Sequence, residues 1–521
     1  MKAPLLLSLA LLAPLGAVAP LTAHAVAPAG APAVAWQEAG ADADVDKAFA
    51  QARAEKKPLL LYWGAKWCPP CNQLKATLFN RQDFIEQSRA VIAVHIDGDA
   101  PGAQKLGARF KVRGYPTMIM FNTEGAELTR LPGEIDAAQV VKVMQLGLAG
   151  GRPVKAVLAD ARASKKLGVN EWRLLAFYSW ETDEQQLVPP QEVPGLLVQL
   201  AAAAKGVDEE VSTRLYLKAL AASDEGKGVK PDAALAQRVA AVLANPAESR
   251  AQMDVLTNGA GDMVLTLTPE GGAARTKLST EFDVALKRLQ NDASLSRADR
   301  LTALESRVVL ARLDQPKDAL QPKLPAALTQ EVRSFTTKLD QEITDGYERQ
   351  ACITSAAAVL GKAGLWKESD ELLKANLAKS HSPYYLMNYL GGNARKQGRK
   401  DEALHWYEEA FNKSEGPATR LQWGSTYVAA LVNLAPQDSA RIEKAASQLF
   451  KEASADKSAF YERSARSLLK VGSDLQKWSA DGKNAAAPAV MGRLKTQLAG
   501  VCSKVDTADK QRATCESVIK G

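Results

Sequence analysis

Two cysteines separated by two prolines, in the run Trp67-Cys68-Pro69-Pro70-Cys71, constrain this chain more than any other feature because of the elements they join. Leu59-Leu60-Leu61-Tyr62-Trp63 before them is a continuous apolar run of strand length, and Asn72 to Phe79 after them has the apolar spacing of an amphipathic helix. The pair therefore stands at a strand-to-helix junction. Cys68 lies at the helix N-terminus, where free N–H groups and the dipole favour a thiolate, so it is the expected nucleophile. Cys71, one turn inside the helix, is the expected resolving thiol. A zinc site would need a second ligand pair, but Cys352, Cys502 and Cys515 are far down the chain and the nearby His95 stands alone. A structural disulfide closing so small a loop would add little stability. Redox chemistry is the reading that remains, with copper handling by Cys68, Cys71 and His95 as a further possibility for metal analysis to decide.

Lys2, an apolar run from Pro4 to Val18 and the small residues of Leu21-Thr22-Ala23-His24-Ala25 predict a cleavable secretory signal at 1–25. The mature protein is then expected in an oxidising compartment, a bacterial periplasm, where a dithiol stays reduced only if electrons are supplied. The formal charge of +7 is spread without a basic block, so nucleic-acid binding is not indicated. A chain of 521 residues exceeds one core. Residues 26–35, rich in Ala, Pro and Gly, read as a linker, and Gly150-Gly151-Arg152-Pro153 as the end of a first domain at 36–150.

Within 36–150 the pattern is a helix behind Asp44-Val45-Asp46, the strand Leu59–Trp63, the cysteine helix and a second buried strand at 91–97. A helix near 103–110, a strand at 117–121, a turn at Asn122-Thr123-Glu124-Gly125, an antiparallel strand at 126–131 and a helix at 137–148 capped by Asp136 follow. This order, with Trp67-Cys68-x-x-Cys71, Gly114-Tyr115-Pro116-Thr117 and Gly133, resembles the thioredoxin superfamily. The resemblance implies a central mixed sheet with flanking helices and a cis Pro116 facing the cysteines. It also implies that Trp67, Tyr115 and Pro116 form the edge on which an extended substrate docks, with no cofactor. Two positions depart from the family pattern. Tyr62 stands where many members carry a buried carboxylate, and a phenol with a pKa near about 10 is a poor base. Asn72 replaces the basic residue that often follows the second cysteine, while Lys66 could support the Cys68 thiolate from the other side.

Pro69-Pro70 is similar to the active sites of periplasmic reductases serving cytochrome c maturation. The segment from Asp44 to Phe79 resembles the thiol-carrying domain of transmembrane electron-transfer reductases, and Gly114-Tyr115-Pro116-Thr117 resembles disulfide isomerases. Pro70 removes an N–H that could have stabilised the thiolate, which favours a reductase over an oxidase or isomerase. Protein disulfides or thiols are the expected substrates, with a membrane-embedded electron donor.

Beyond the boundary nearly everything carries helical spacing, giving an α-helical region at 151–345 and another at 346–521. Val264-Leu265-Thr266-Leu267-Thr268 reads as a strand or as the continuation of a helix. Gly364 to Leu373 aligns with Gly398 to Tyr407, and Pro383 with Pro417, at a separation of 34 residues that resembles tetratricopeptide repeats in a solenoid. Tyr384, Tyr385, Trp406, Tyr407 and Phe411 are expected in the repeat core. Cys502 and Cys515 are expected to form a structural disulfide across a terminal hairpin, and Cys352 to be buried and inert. The helical part is expected to recruit or orient a protein partner. The competing reading makes it an adaptor or holdase with a subsidiary redox domain.

Overall fold

The computed structural model of the chain describes residues 33–520 apart from 132, 134–135, 184–185 and 224–226, so the expected signal at 1–25 and most of the linker lie outside the described residues. Its first part alternates strand and helix: β1 (Gln37–Glu38), α1 (Asp42–Glu55), β2 (Leu59–Gly64), α2 (Pro69–Thr77), α3 (Gln82–Ser88) and β3 (Ile92–Asp97), then α4 (Ala103–Phe110), β4 (Thr117–Phe121), β5 (Glu127–Leu131) and α5 (Ala137–Leu148). The sheet runs β1-β3-β2-β4-β5, with β1 and β2 parallel to β3 and β4 antiparallel to both β2 and β5. β2 lies in the middle and is buried throughout, which accounts for its unbroken apolar run. Leu60 and Tyr62 join Met118 and Met120 on the face covered by α2, α3 and α5. Leu59, Leu61 and Trp63 join Ile92, Val94 and Ile96 on the face covered by α1 and α4.

Two local expectations change. Asp44 lies in the first turn of α1, and its carboxylate accepts from the N–H groups of Gly40 and Ala41 at 3.1 and 3.0 Å. Asp136 occupies the N-cap position of α5 without capping it, because its carboxylate is drawn to Arg250 at 3.1 Å.

Among the described residues after α5 every regular element is a helix, and Asp183 forms an isolated bridge back to Val112. Residues 264–267 end the helix Met253–Leu267, with Gly259, Ala260, Met263 and Val264 buried at helical spacing. A short apolar run cannot by itself distinguish the two states. The largest core is continuous from Leu60 to Leu310, so helices such as Val154–Arg162 and Val169–Ala176 pack onto the sheet's own core. A charge reinforces that seam. Arg130 on β5 is fully buried and donates to the carbonyls of Phe110, Lys111 and Thr182 at 2.6, 2.7 and 3.1 Å, and to Glu127 at 2.9 Å.

Further on, the helices Trp366–Asn376 and Pro383–Lys396 are followed 34 residues later by Lys400–Lys413 and Pro417–Leu434. Gly364 and Gly398, before the first helix of each pair, have φ of 77° and 74°, the left-handed region that glycine enters at least cost. Ser369 and Ala403 are fully enclosed at the matching packing position. The chain closes with the helices Ala487–Cys502 and Gln511–Ser517, joined by a Cys502–Cys515 disulfide. Among the described residues no helix is long and apolar enough to cross a membrane.

Candidate active site

The end of β2 delivers the chain directly into α2, and Cys68 is the residue that caps this helix. Its Sγ accepts from the Cys71 N–H at 3.2 Å and is bonded to the Cys71 sulfur, with Cα atoms 5.2 Å apart. Pro69 and Pro70 fill the first two helical positions and have no N–H, so the Cys71 amide is the first one that can face the sulfur. Asn72, fully buried, fastens the turn by donating from Nδ2 to the carbonyls of Lys66 and Cys68, each at 2.8 Å. The sequence offers it only as the replacement of a basic residue, whereas its amide holds the active-site loop. The Tyr115–Pro116 peptide is cis, and Gly133 lies so close that a Cβ there would be 2.7 Å from Pro116 Cγ. Tyr115 meets Trp67 edge-on at 6.5 Å between ring centroids.

Tyr62 is enclosed by Trp36, Phe79 and His95, and its buried hydroxyl has no partner. Burial, with the carboxylates of Asp97 and Glu38, pushes its pKa far up, so it does not serve as a base. Asp97, at the end of β3 opposite Gly64, is the carboxyl that sequence reading passes over. Burial pushes its pKa up, while burial pushes Lys75 on α2 down against the attraction of Asp97. Both groups sit at this end of the sheet with their titration moved toward neutrality.

The largest departure from expectation is a roof of helices over the cysteines. Trp67 is held by residues more than 280 positions away: its carbonyl accepts from Gln350 Nε2 at 3.0 Å. Its ring stacks on Tyr385 at 5.4 Å and meets Trp423 edge-on at 6.1 Å. Asp99 is the main polar clasp. It accepts from Trp67 Nε1 at 3.2 Å, from the N–H and O–H of Thr419 at 2.7 and 2.6 Å, and from Arg463 at 2.8 Å. The Arg463 guanidinium lies 5.2 Å from the ring centres of both Trp67 and Tyr115. Tyr384 and Trp423 pack into one buried cluster with Cys68 and Cys71, flanked by Tyr385. Tyr384 and Tyr385 therefore cover the cysteine pair, while Tyr407 and Phe411 belong to a helical core that runs on to Ile519. A helix turns residues at neighbouring positions to different sides, which composition alone does not reveal.

Under this roof lies a cavity of about 470 Å³. Cys68 and Tyr115 border it, whereas Cys71 does not and is fully enclosed. Lys66 is engaged by Glu415 at 3.0 Å, so its ammonium is directed to the roof. His95 is held by Glu38 at 2.8 Å and stacked on Tyr62. Among the described residues no three of His, Cys, Asp or Glu gather as a metal-binding group. Cys352 lies inside another helical core, where burial pushes its thiol pKa far up.

His381 Nε2 donates to the Lys66 carbonyl at 3.0 Å, and burial, with Lys66 and Lys75 nearby, holds its pKa below the ordinary imidazole value. A depressed folded pKa means that the stability it contributes is present above the unfolded value of about 6.5 and is lost as pH falls through the folded one. Unfolding titrations between pH 7.5 and 5 are therefore expected to show a smaller decline in His381→Gln than in the unmodified chain. Equal declines would remove this role.

Residues 45–147 match the family described as thioredoxin-like domain. With the mixed sheet and the cysteine pair capping α2, the chain contains a thioredoxin-like domain followed by a large all-helical region. Over 127 residues it is 32% identical to the thiol:disulfide interchange protein DsbD 2 of Pseudomonas aeruginosa, covering 23% of this chain and 22% of that protein. It is also 32% identical over 119 residues to the thiol:disulfide interchange protein DsbD of Klebsiella pneumoniae, covering 21% and 20%. The chain thus spans about a fifth of the length of these relatives. A thioredoxin from Thermus thermophilus is 28% identical with a TM-score of 0.19, covering 20% of this chain and 85% of that one.

Proposed function

We propose that the protein is a thiol–disulfide oxidoreductase that works in the reducing direction, with Cys68 attacking a substrate disulfide and Cys71 resolving the intermediate. The observation that carries this reading is the asymmetry of the pair: Cys68 borders the cavity and caps α2, while Cys71 is sealed behind it. Pro69 and Pro70 support the reducing direction. With two amides absent from the first turn, the Cys68 thiolate has fewer donors, its pKa is lowered less, and the dithiol form is less favoured over the disulfide. The interchange activity in the names of the DsbD relatives supports the same chemistry.

The remaining assignments follow from this reading. A signal at 1–25 would carry the chain to the periplasm, where a membrane-embedded donor would return the dithiol to its reduced form. The 34-residue spacing supports tetratricopeptide-like repeats within 346–521, behind a first domain at 36–150 and a helical region at 151–345. Because the helices roof Cys68, a protein substrate would present its disulfide on an extended segment. The test is insulin reduction by the full chain with dithiothreitol as electron source. The unmodified chain is expected to accelerate it and Cys68→Ser to lose at least about a hundredfold of that acceleration, the scale set by removing an activated nucleophile. Equal rates would refute the reading.

A further inference from the structure

The walls of the roofed cavity carry a charge pattern that redox chemistry alone does not require. Four cations border it, Arg113 from the thioredoxin-like domain and Arg463, Arg466 and Lys470 from the helix Glu462–Ala480, against one lining carboxylate, Glu462. Arg463 is committed to Asp99, Arg466 is paired with Glu462 at 3.0 Å, and Lys470 is paired with Asp474 at 2.6 Å. These last two cations remain about half exposed at 49% and 58%, so they keep a face to an incoming anion. A volume of about 470 Å³ lies in the range of sites for small ligands or short segments.

Resting on the redox reading, we propose that the cavity selects an acidic peptidyl disulfide, with carboxylates within a few residues of the reacting sulfur. The Cys68 thiolate attacks one substrate sulfur, the substrate S–S bond breaks, and the first substrate thiolate leaves. Cys71, losing its proton, attacks Cys68 Sγ and expels the second. Two electrons pass from the dithiol to the substrate, the enzyme disulfide forms, and the two protons of the dithiol end on the two released thiols. The substrate carboxylates meet Arg466 and Lys470. The same chemistry can arrive as a segment of an unfolded protein or as a free small peptide, and length separates the two.

The test is a single-turnover rate measurement with the reduced full chain and three symmetrical peptide disulfides of equal length, whose cysteine is flanked by Glu, Gln or Lys. Glutathione disulfide serves as the short acidic probe and insulin as the unselected protein disulfide. At low ionic strength the Glu peptide is expected to react about tenfold faster than the Lys peptide, with Gln between them, and the gap to shrink as salt is added. Arg466→Gln together with Lys470→Gln, both on partly exposed side chains, is expected to reduce the Glu-to-Lys ratio to about threefold or less. Glutathione disulfide matching the Glu peptide supports a free small substrate, and a clear deficit supports a segment. Equal rates for the three peptides, with insulin also reduced, overturn the selection and leave the oxidoreductase standing. No oxidation of the dithiol by any of the disulfides overturns both.

Discussion

Cys71→Ser is expected to turn the site into a trap. With Cys68 retained, attack on a substrate disulfide still produces a mixed disulfide, but no second thiol releases it, so a covalent adduct accumulates that reducing agent dissolves. Cys68→Ser, with Cys71 intact, is expected to form essentially none. The difference follows from position: Cys68 is 2% exposed yet borders the cavity, while Cys71 is at 0% and outside its lining. Non-reducing electrophoresis of both variants after incubation with a disulfide-bearing substrate, with mass mapping of the joined cysteine, reads this directly. Comparable adducts in the two variants would mean that either sulfur can attack and that the enclosure of Cys71 has no chemical consequence.

The second large effect concerns the seam beneath the site. Arg130 has 0% side-chain exposure, and its guanidinium satisfies three carbonyls and a carboxylate that is itself only 10% exposed. Arg130→Met keeps much of the side chain's volume but strands Glu127, leaving it, among the described residues, the bonds from Gln186 at 2.8 Å and Tyr178 at 3.3 Å. Removing one partner of a buried pair costs about 3–5 kcal/mol, far more than the pair contributes relative to an apolar replacement of both members. Denaturant unfolding followed by near-ultraviolet circular dichroism is expected to show a loss on that scale, and the double variant Arg130→Met, Glu127→Leu a smaller one. A single-variant loss below about 1 kcal/mol would show that the seam does not depend on this ion pair.

What the sequence shows clearly is local. The unbroken run at 59–63 and the cysteines after it specify a buried strand feeding a helix, and the glycine at 364 and 398 announces a repeated turn. Tyr62 is readable as a lost base because its position relative to Cys68 is fixed along the chain. The roof is not readable in this way. Gln350, Thr419 and Arg463 reach Trp67, Asp99 and Gln104 across 283 to 364 residues, and nothing in a single sequence states which distant surfaces meet. Arg463, Arg466 and Lys470 fall at helical spacing and read as a solvated basic face until the thioredoxin-like domain is set against them. Asp136 illustrates the opposite failure: a sound local signal for a cap, overridden by Arg250, a partner 114 residues away.

The reduction potential of the Cys68–Cys71 couple, measured in the full chain by equilibration against redox buffers, bears most directly on the proposed direction of electron flow. A helix start that lacks two amides leaves the thiolate with few donors, so the expected value lies near that of thioredoxin, about −270 mV. A strongly oxidising value, near about −120 mV, would mean that the thiolate is stabilised by groups other than those described and that the site delivers disulfides rather than removing them.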